Sequence, residues 1–187
     1  MWLPPPAPSC AGIFVLGEGR TQPEGYPCGV DPDGLDDLTF FRTLARSGAR
    51  ALLIGRRALI LLGAPVMTAD YDLWIHIDDI ELLNRAFEAV DHAPNRSASE
   101  ARARGRYVIE NGERIDVVVA REMQGAPEAA LTFDEAWGRR RELTIAHDVS
   151  VSIPDVPDLI KTKRWGSRAK DLADIQFLEA LARGERP

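Results

Sequence analysis

Residues 105–120, GRYVIENGERIDVVVA, constrain the fold of this chain more than any other stretch. Two runs rich in β-branched and aromatic residues flank Asn111-Gly112, a dipeptide suited to the left-handed backbone of a tight hairpin turn. Two antiparallel strands are expected here. Successive side chains of a strand alternate between faces, so Ile115, Val117 and Val119 share one face. Arg114, Asp116 and Val118 share the other. A sheet with one apolar face follows, and the rest of the chain has to extend and cover it.

The flanking segments supply that material. Asp33 is the expected N-cap of a first helix, in which Leu35, Leu38, Phe41, Leu44 and Ala45 recur at helical spacing before Ser47-Gly48 ends it. RALLIG (50–55) reads as a short buried strand, and RRALILLG continues as a helix. A strand follows through about Ile77, then a helix over about 79–90. TFDEAWGRRREL predicts a short helix, and LTIAHDVSVSIP alternates like further strands. Two helices, about 155–165 and 168–183, close the chain, the second ended by Gly184. The expected class is α/β (α+β): a small mixed sheet with flanking helices over residues 34–154, and a C-terminal helical segment over 155–187. Residues 1–33 read as an extended Pro/Gly-rich leader, which Trp2, Ile13, Phe14 and Tyr26 could strap across the domain. At 187 residues the chain can bury one sizeable core.

Charge narrows the partners. A formal net charge of -6 argues against a broad basic surface for long nucleic acids. A local basic patch for a nucleotide-sized or tRNA-sized ligand stays open. No segment approaches the ~20 apolar residues of a membrane span. Cys10 and Cys28 both fall in the leader and read as reduced thiols of a cytoplasmic protein, a single bridge being the alternative.

The chemistry concentrates in TADYDLWIHID, residues 68–78. In a strand, Tyr71, Leu73, Ile75 and Ile77 form a core face, while Asp70, Asp72, Trp74 and His76 form the other. Two carboxylates so placed repel unless a cation lies between them. Hard oxygen donors suit Mg²⁺ or Mn²⁺, which are held by a few carboxylates together with substrate phosphates. The plainer reading is an exposed sheet face where water tolerates both charges. Asp116 enters a valine run and would converge with the pair if its strand lies alongside, or would simply pair with Arg114. Gly55 marks a strand-to-helix turn whose backbone N–H groups could face a triphosphate. Arg56 and Arg57 could add charge there or be solvated on a first helical turn.

Together, Gly55-Arg56, DYDLWI and RIDVVV resemble the signature of the nucleotidyltransferase superfamily with its polymerase-beta-like fold. Within it, IGRRALILLGAPVMTADYDLWI is similar to the small bacterial nucleotidyltransferases, including the toxin-type AbiEii-like group. The C-terminal PDVPDLIKTKRWGSRAKDLADIQFLEAL resembles their lysine helix, basic turn and acidic last helix, through Lys161, Lys163, Arg168, Lys170, Asp171 and Asp174. The likeness spans about residues 35–183. Two positions depart from the pattern: Arg56 stands where a small residue is usual, and Val66-Met67 follow Pro65 where an arginine is usual.

The resemblance implies transfer of a nucleoside monophosphate from an NTP to an acceptor: a small molecule such as an aminoglycoside, a protein side chain or tRNA. It implies Asp70, Asp72 and Asp116 as metal ligands, Asp116 also as general base. Gly55, Arg56, Arg57, Thr68, Lys161 and Lys163 would serve the nucleotide, with Lys170, Asp171 and Asp174 in support. Two other readings stand beside it. One is a non-catalytic nucleotide-binding or toxin–antitoxin partner protein of the same fold, and the other is a metal-dependent nuclease using the same carboxylates.

Overall fold

The computed structural model describes residues 35–120, 131–165 and 171–185; the leader with Cys10 and Cys28, and the positions of Arg168 and Lys170, lie outside them. Helix α1 (Asp37–Arg46) is capped by Asp36, whose side chain accepts from the Thr39 amide at 2.9 Å, so it begins later than the Asp33 cap expected from sequence. Its inward stripe is Phe40, Phe41, Thr43 and Leu44, while Leu38 is exposed. Phe40 sets this rotation by stacking on Tyr71 with ring centroids 3.8 Å apart.

Strand β1 (Ala51–Ile54) leads into α2 (Gly55–Leu61), and β2 (Tyr71–Ile75) follows. A single 3₁₀ turn over Ile77–Asp79 opens α3 (Ile80–Glu88). Two elements then appear that the sequence reading did not foresee: the short β3 (Ala93–Pro94) and α4 (Ala98–Arg104). A capping box starts α4, with Ser97 and Glu100 satisfying each other's backbone amides. The expected hairpin is present as β4 (Arg106–Asn111) and β5 (Glu113–Val119), turning at Gly112 with φ +80°. Helix α5 (Phe133–Gly138), the hairpin β6 (Arg141–Ala146) and β7 (Val149–Ile153), α6 (Val156–Arg164) and α7 (Asp171–Ala182) complete the described chain.

The main sheet has the order β1-β2-β5-β4-β3, and β6-β7 form a second, two-stranded sheet. Strands β2 and β5 run parallel, and the other pairs in the main sheet are antiparallel. A parallel neighbour requires a long crossover, supplied here by α3, β3, α4 and β4. The fold is therefore α+β with a mixed sheet, as the sequence predicts. Among the described residues no helix is long and apolar enough to cross a membrane.

Each face of the sheet is covered. Leu53, Tyr71, Leu73, Ile75, Ile109, Ile115 and Val117 enter the main core with Phe40, Phe41, Leu83 and Phe87, joined by Leu159 of α6 and Leu178 of α7. On the opposite face Leu52, Ile54 and Trp74 pack with Leu131, Phe133 and Ala136. On the face shared by Asp72 and Trp74, α5 closes over Trp74, while Asp72 stays partly accessible.

Candidate active site at the carboxylate end of the sheet

The parallel register places Asp72 directly opposite Asp116, and the antiparallel register places Ile54 opposite Asp72 on the other side. Residues paired across neighbouring strands project to the same face. Asp72 and Asp116 therefore stand side by side at one end of the second face. The convergence inferred from sequence is real for these two. Asp70 lies just before β2, exposed, with its amide donating to Thr68 Oγ1 at 3.2 Å.

Gly55 shapes the floor. Its φ of +67° lies in the left-handed region, and a Cβ built there would overlap the Asp72 carboxylate. Only glycine lets the β1–α2 turn pass this close to Asp72. The turn and the first aspartate of the site are one packing unit, a relation the sequence showed only as two separate motifs.

The basic residues expected at the nucleotide are held elsewhere. Arg56 Nε donates to Asp174 Oδ2 at 3.2 Å. Arg57 donates to both oxygens of Asp37, at 2.9 and 3.0 Å, and lies 4.2 Å over the Tyr71 ring. Tyr71 Oη donates to Asp37, and burial together with that bond pushes the phenol well above its ordinary range. Lys163 Nζ donates to Asp174 Oδ2 at 2.8 Å and lies 3.9 Å from Asp171. Lys161 lies 3.4 Å from Asp158, which Arg139 also grips. Burial acts to raise the Asp174 pKa, but hydrogen bonds from Lys163 and Arg56 outweigh it and hold the carboxyl below its ordinary value.

In α7, Asp171, Asp174 and Leu178 are buried, whereas Leu172 is 63% exposed. Asp174 accepts through Oδ2 from groups on α6 and α2 that are distant in sequence.

Asp116 has a partner of its own. Arg114 Nε reaches Oδ2 at 3.0 Å and Nη2 reaches Oδ1 at 2.9 Å, so both carboxylate oxygens accept from one guanidinium. Among the described residues no group of three or more His, Cys, Asp or Glu side chains is close enough to hold a metal ion. Asp72 and Asp116 still form a donor set of the right chemistry: two hard carboxylates suit an Mg²⁺-type ion that completes its shell with substrate phosphates and water. A cation held by these two carboxylates would have to displace Arg114 from Asp116.

Sequence reasoning missed the aromatic wall beside this pair. Trp74 meets Phe133 and Trp165 edge to face, at 5.1 and 5.0 Å between centroids, and Phe133 stacks on Trp137. The one available signal was Trp74 two residues after Asp72, on the same face. Its covering partners come from distant α5 and from Trp165 just after α6, which strand periodicity does not reveal.

The fold of this chain, with Asp72 and Asp116 on the parallel central strands and the Gly55 turn packed against Asp72, is similar to that of solved structures. The antibiotic-resistance factor ANT(2'')-Ia in solution matches with a TM-score of 0.52 and 14% identity, over 79% of this chain and 85% of that one. The crystal structure of ANT(2'')-Ia in complex with adenylyl-2''-tobramycin matches with a TM-score of 0.50 and 15% identity, over 75% and 83%. At these identities the likeness establishes the fold. No protein-family model matches the chain, and no curated protein does.

Proposed function

We propose that this chain is a nucleotidyltransferase that moves a nucleoside monophosphate from an NTP to an acceptor hydroxyl, releasing pyrophosphate. The observation that carries the reading is the side-by-side register of Asp72 and Asp116 with Gly55 packed against Asp72. These are the residues that would hold Mg²⁺ or Mn²⁺; such an ion, when bound, neutralises phosphate charge and polarises the reacting phosphoryl group. Asp72 anchors the site from the centre of the sheet. Asp70, exposed and two residues away, would add a third carboxylate to the set. Asp116, once released from Arg114, can accept the acceptor's proton. Released from Asp116, the Arg114 guanidinium would suit phosphate oxygens with its planar fork.

A small polyhydroxylated acceptor is the first class to test. The net charge of -6 suits a cationic acceptor better than a long polyanion, and the structural neighbour was crystallised with an adenylylated aminoglycoside. The reading places the enzyme in the cytoplasm, where NTPs are held. Incubation with labelled NTPs, Mg²⁺ and either aminoglycosides or a cell lysate is the direct test. Label should pass to an acceptor, and Asp72→Ala should abolish transfer while leaving the thermal transition in place. Absence of labelled product together with absence of Mg-NTP binding by calorimetry sinks the enzyme reading.

One observation favours a second reading. Both Asp116 oxygens are engaged by Arg114, which suits a non-catalytic member that binds nucleotide or a protein partner, as in a toxin–antitoxin pair. That reading predicts nucleotide binding without turnover in the same assay.

A further inference from the structure

Asp70 lies one residue before β2, and the ladder with β5 begins only at Tyr71, opposite Ile115. Strand pairing therefore does not fix where its carboxylate points. Its amide donates to Thr68 Oγ1 at 3.2 Å, which tightens the turn ahead of it. The residues on either side of Asp70 are both held by Arg57. Arg57 Nη2 donates to the Ala69 carbonyl at 3.4 Å, and the guanidinium carbon lies 4.2 Å from the centre of the Tyr71 ring. Through Nη1 the same group donates to both oxygens of Asp37, which also accepts from Tyr71 Oη. A carboxylate, a ring face and a carbonyl together suit the planar fork of arginine and not a lysine ammonium. The Arg57 side chain is only 13% exposed, so it is committed to these protein partners. Asp70 itself is exposed, and its charge reaches the site: the Arg114 guanidinium is held above its ordinary pKa first by its bonds to Asp116, and further by the charges of Glu110 and Asp70.

We infer that Arg57 is a positioning residue that acts through Asp70: by holding the carbonyl before it and the ring after it, Arg57 fixes the Asp70 carboxylate where it can join Asp116 around a divalent cation. The inference rests on the nucleotidyltransferase reading. For Arg57 it replaces the phosphate contact expected from sequence with a hold on the third carboxylate. A purely structural role would loosen the junction of α1, α2 and β2, and its effect would not depend on what stands at position 70.

Mn²⁺ affinity, read by electron paramagnetic resonance with and without ATP, separates these cases. Arg57→Gln should weaken Mn²⁺ binding about tenfold, the usual cost of losing a group that orients a metal ligand. Asp70→Asn should weaken it at least as much. The double variant R57Q/D70N should bind no more weakly than D70N alone, because Arg57 then has no ligand left to position. A double variant in which the two losses add overturns the inference, as does an R57Q or a D70N protein that binds like wild type. Because R57Q also bares the Tyr71 ring and can unfold the junction, Asp37→Asn provides a second arm. Asp37 is 58% exposed, and the change loosens the guanidinium without emptying the space it fills. D37N should weaken Mn²⁺ binding when Asp70 is present and have no further effect in the D70N background; equal losses in both, or none in either, overturn the inference. A wild-type protein that binds neither Mn²⁺ nor Mg-ATP removes the nucleotidyltransferase reading and the inference with it. Failure confined to the variants removes the inference alone.

Discussion

At Gly55 a single hydrogen in place of a methyl group decides whether the candidate site can form. Gly55→Ala would force the new Cβ into the Asp72 carboxylate and hold a non-glycine residue at φ +67°. The backbone penalty alone is about 1–2 kcal/mol. Thermal melting should show that loss, and Mn²⁺ affinity should fall further than stability does, because the carboxylate has to swing off its strand. Arg114 gives the opposite expectation. Its pair with Asp116 is exposed to solvent, and such pairs contribute little to stability. Arg114→Gln should leave the melting temperature nearly unchanged while raising cation affinity severalfold, since Asp116 no longer has to be prised from a guanidinium. If Arg114 also assists the phosphates, calorimetry with ATP will show weaker nucleotide binding in the same variant.

Among the elements, the ones that make the site were the most legible. Alternation in DYDLWI and RIDVVV gave the correct core faces, since Tyr71, Leu73, Ile75, Ile115 and Val117 are all buried. The Asn111-Gly112 turn placed the hairpin because its conformational requirement is local. Helix α4 was not foreseen: its one local signal is the Ser97-x-x-Glu100 box, and its short polar run carries no apolar stripe. What lay beyond local rules was the choice of partners. Arg56, Arg57 and Lys163 are long, and several carboxylates compete for each, so only the packed sheet and helices decide that they go to Asp174 and Asp37. Trp74 looked like part of an open face because its cover, α5, arrives from sixty residues away in sequence, roughly, and by tertiary contact. Helix α5 is short and depends on its start, where Thr132 and Glu135 cap each other's amides. Thr132→Ala should lower stability by about 1 kcal/mol in a denaturant titration, with most of the effect felt where α5 lies over Trp74.

For the whole molecule, acid should act through the buried carboxylate of Asp174, which ties α7 to α6 and α2. The Asp174 carboxyl is held below its ordinary value of 3.8 in the folded protein. The stability it contributes is therefore fully present above that value and is lost as pH falls through the lower, folded-state pKa. Asp79, held low by Arg50 beside the start of β1, behaves in the same sense. Equilibrium unfolding measured below about pH 4 should steepen for the wild-type protein, and Asp174→Asn should flatten that limb. The aromatic wall gives the molecule one further property. Of its four tryptophans, Trp74, Trp137 and Trp165 gather on the face that carries Asp72 and Asp116. The protein's intrinsic ultraviolet emission consequently originates largely beside its own candidate site, and an arriving nucleotide or cation should announce itself optically in the unlabelled wild-type chain.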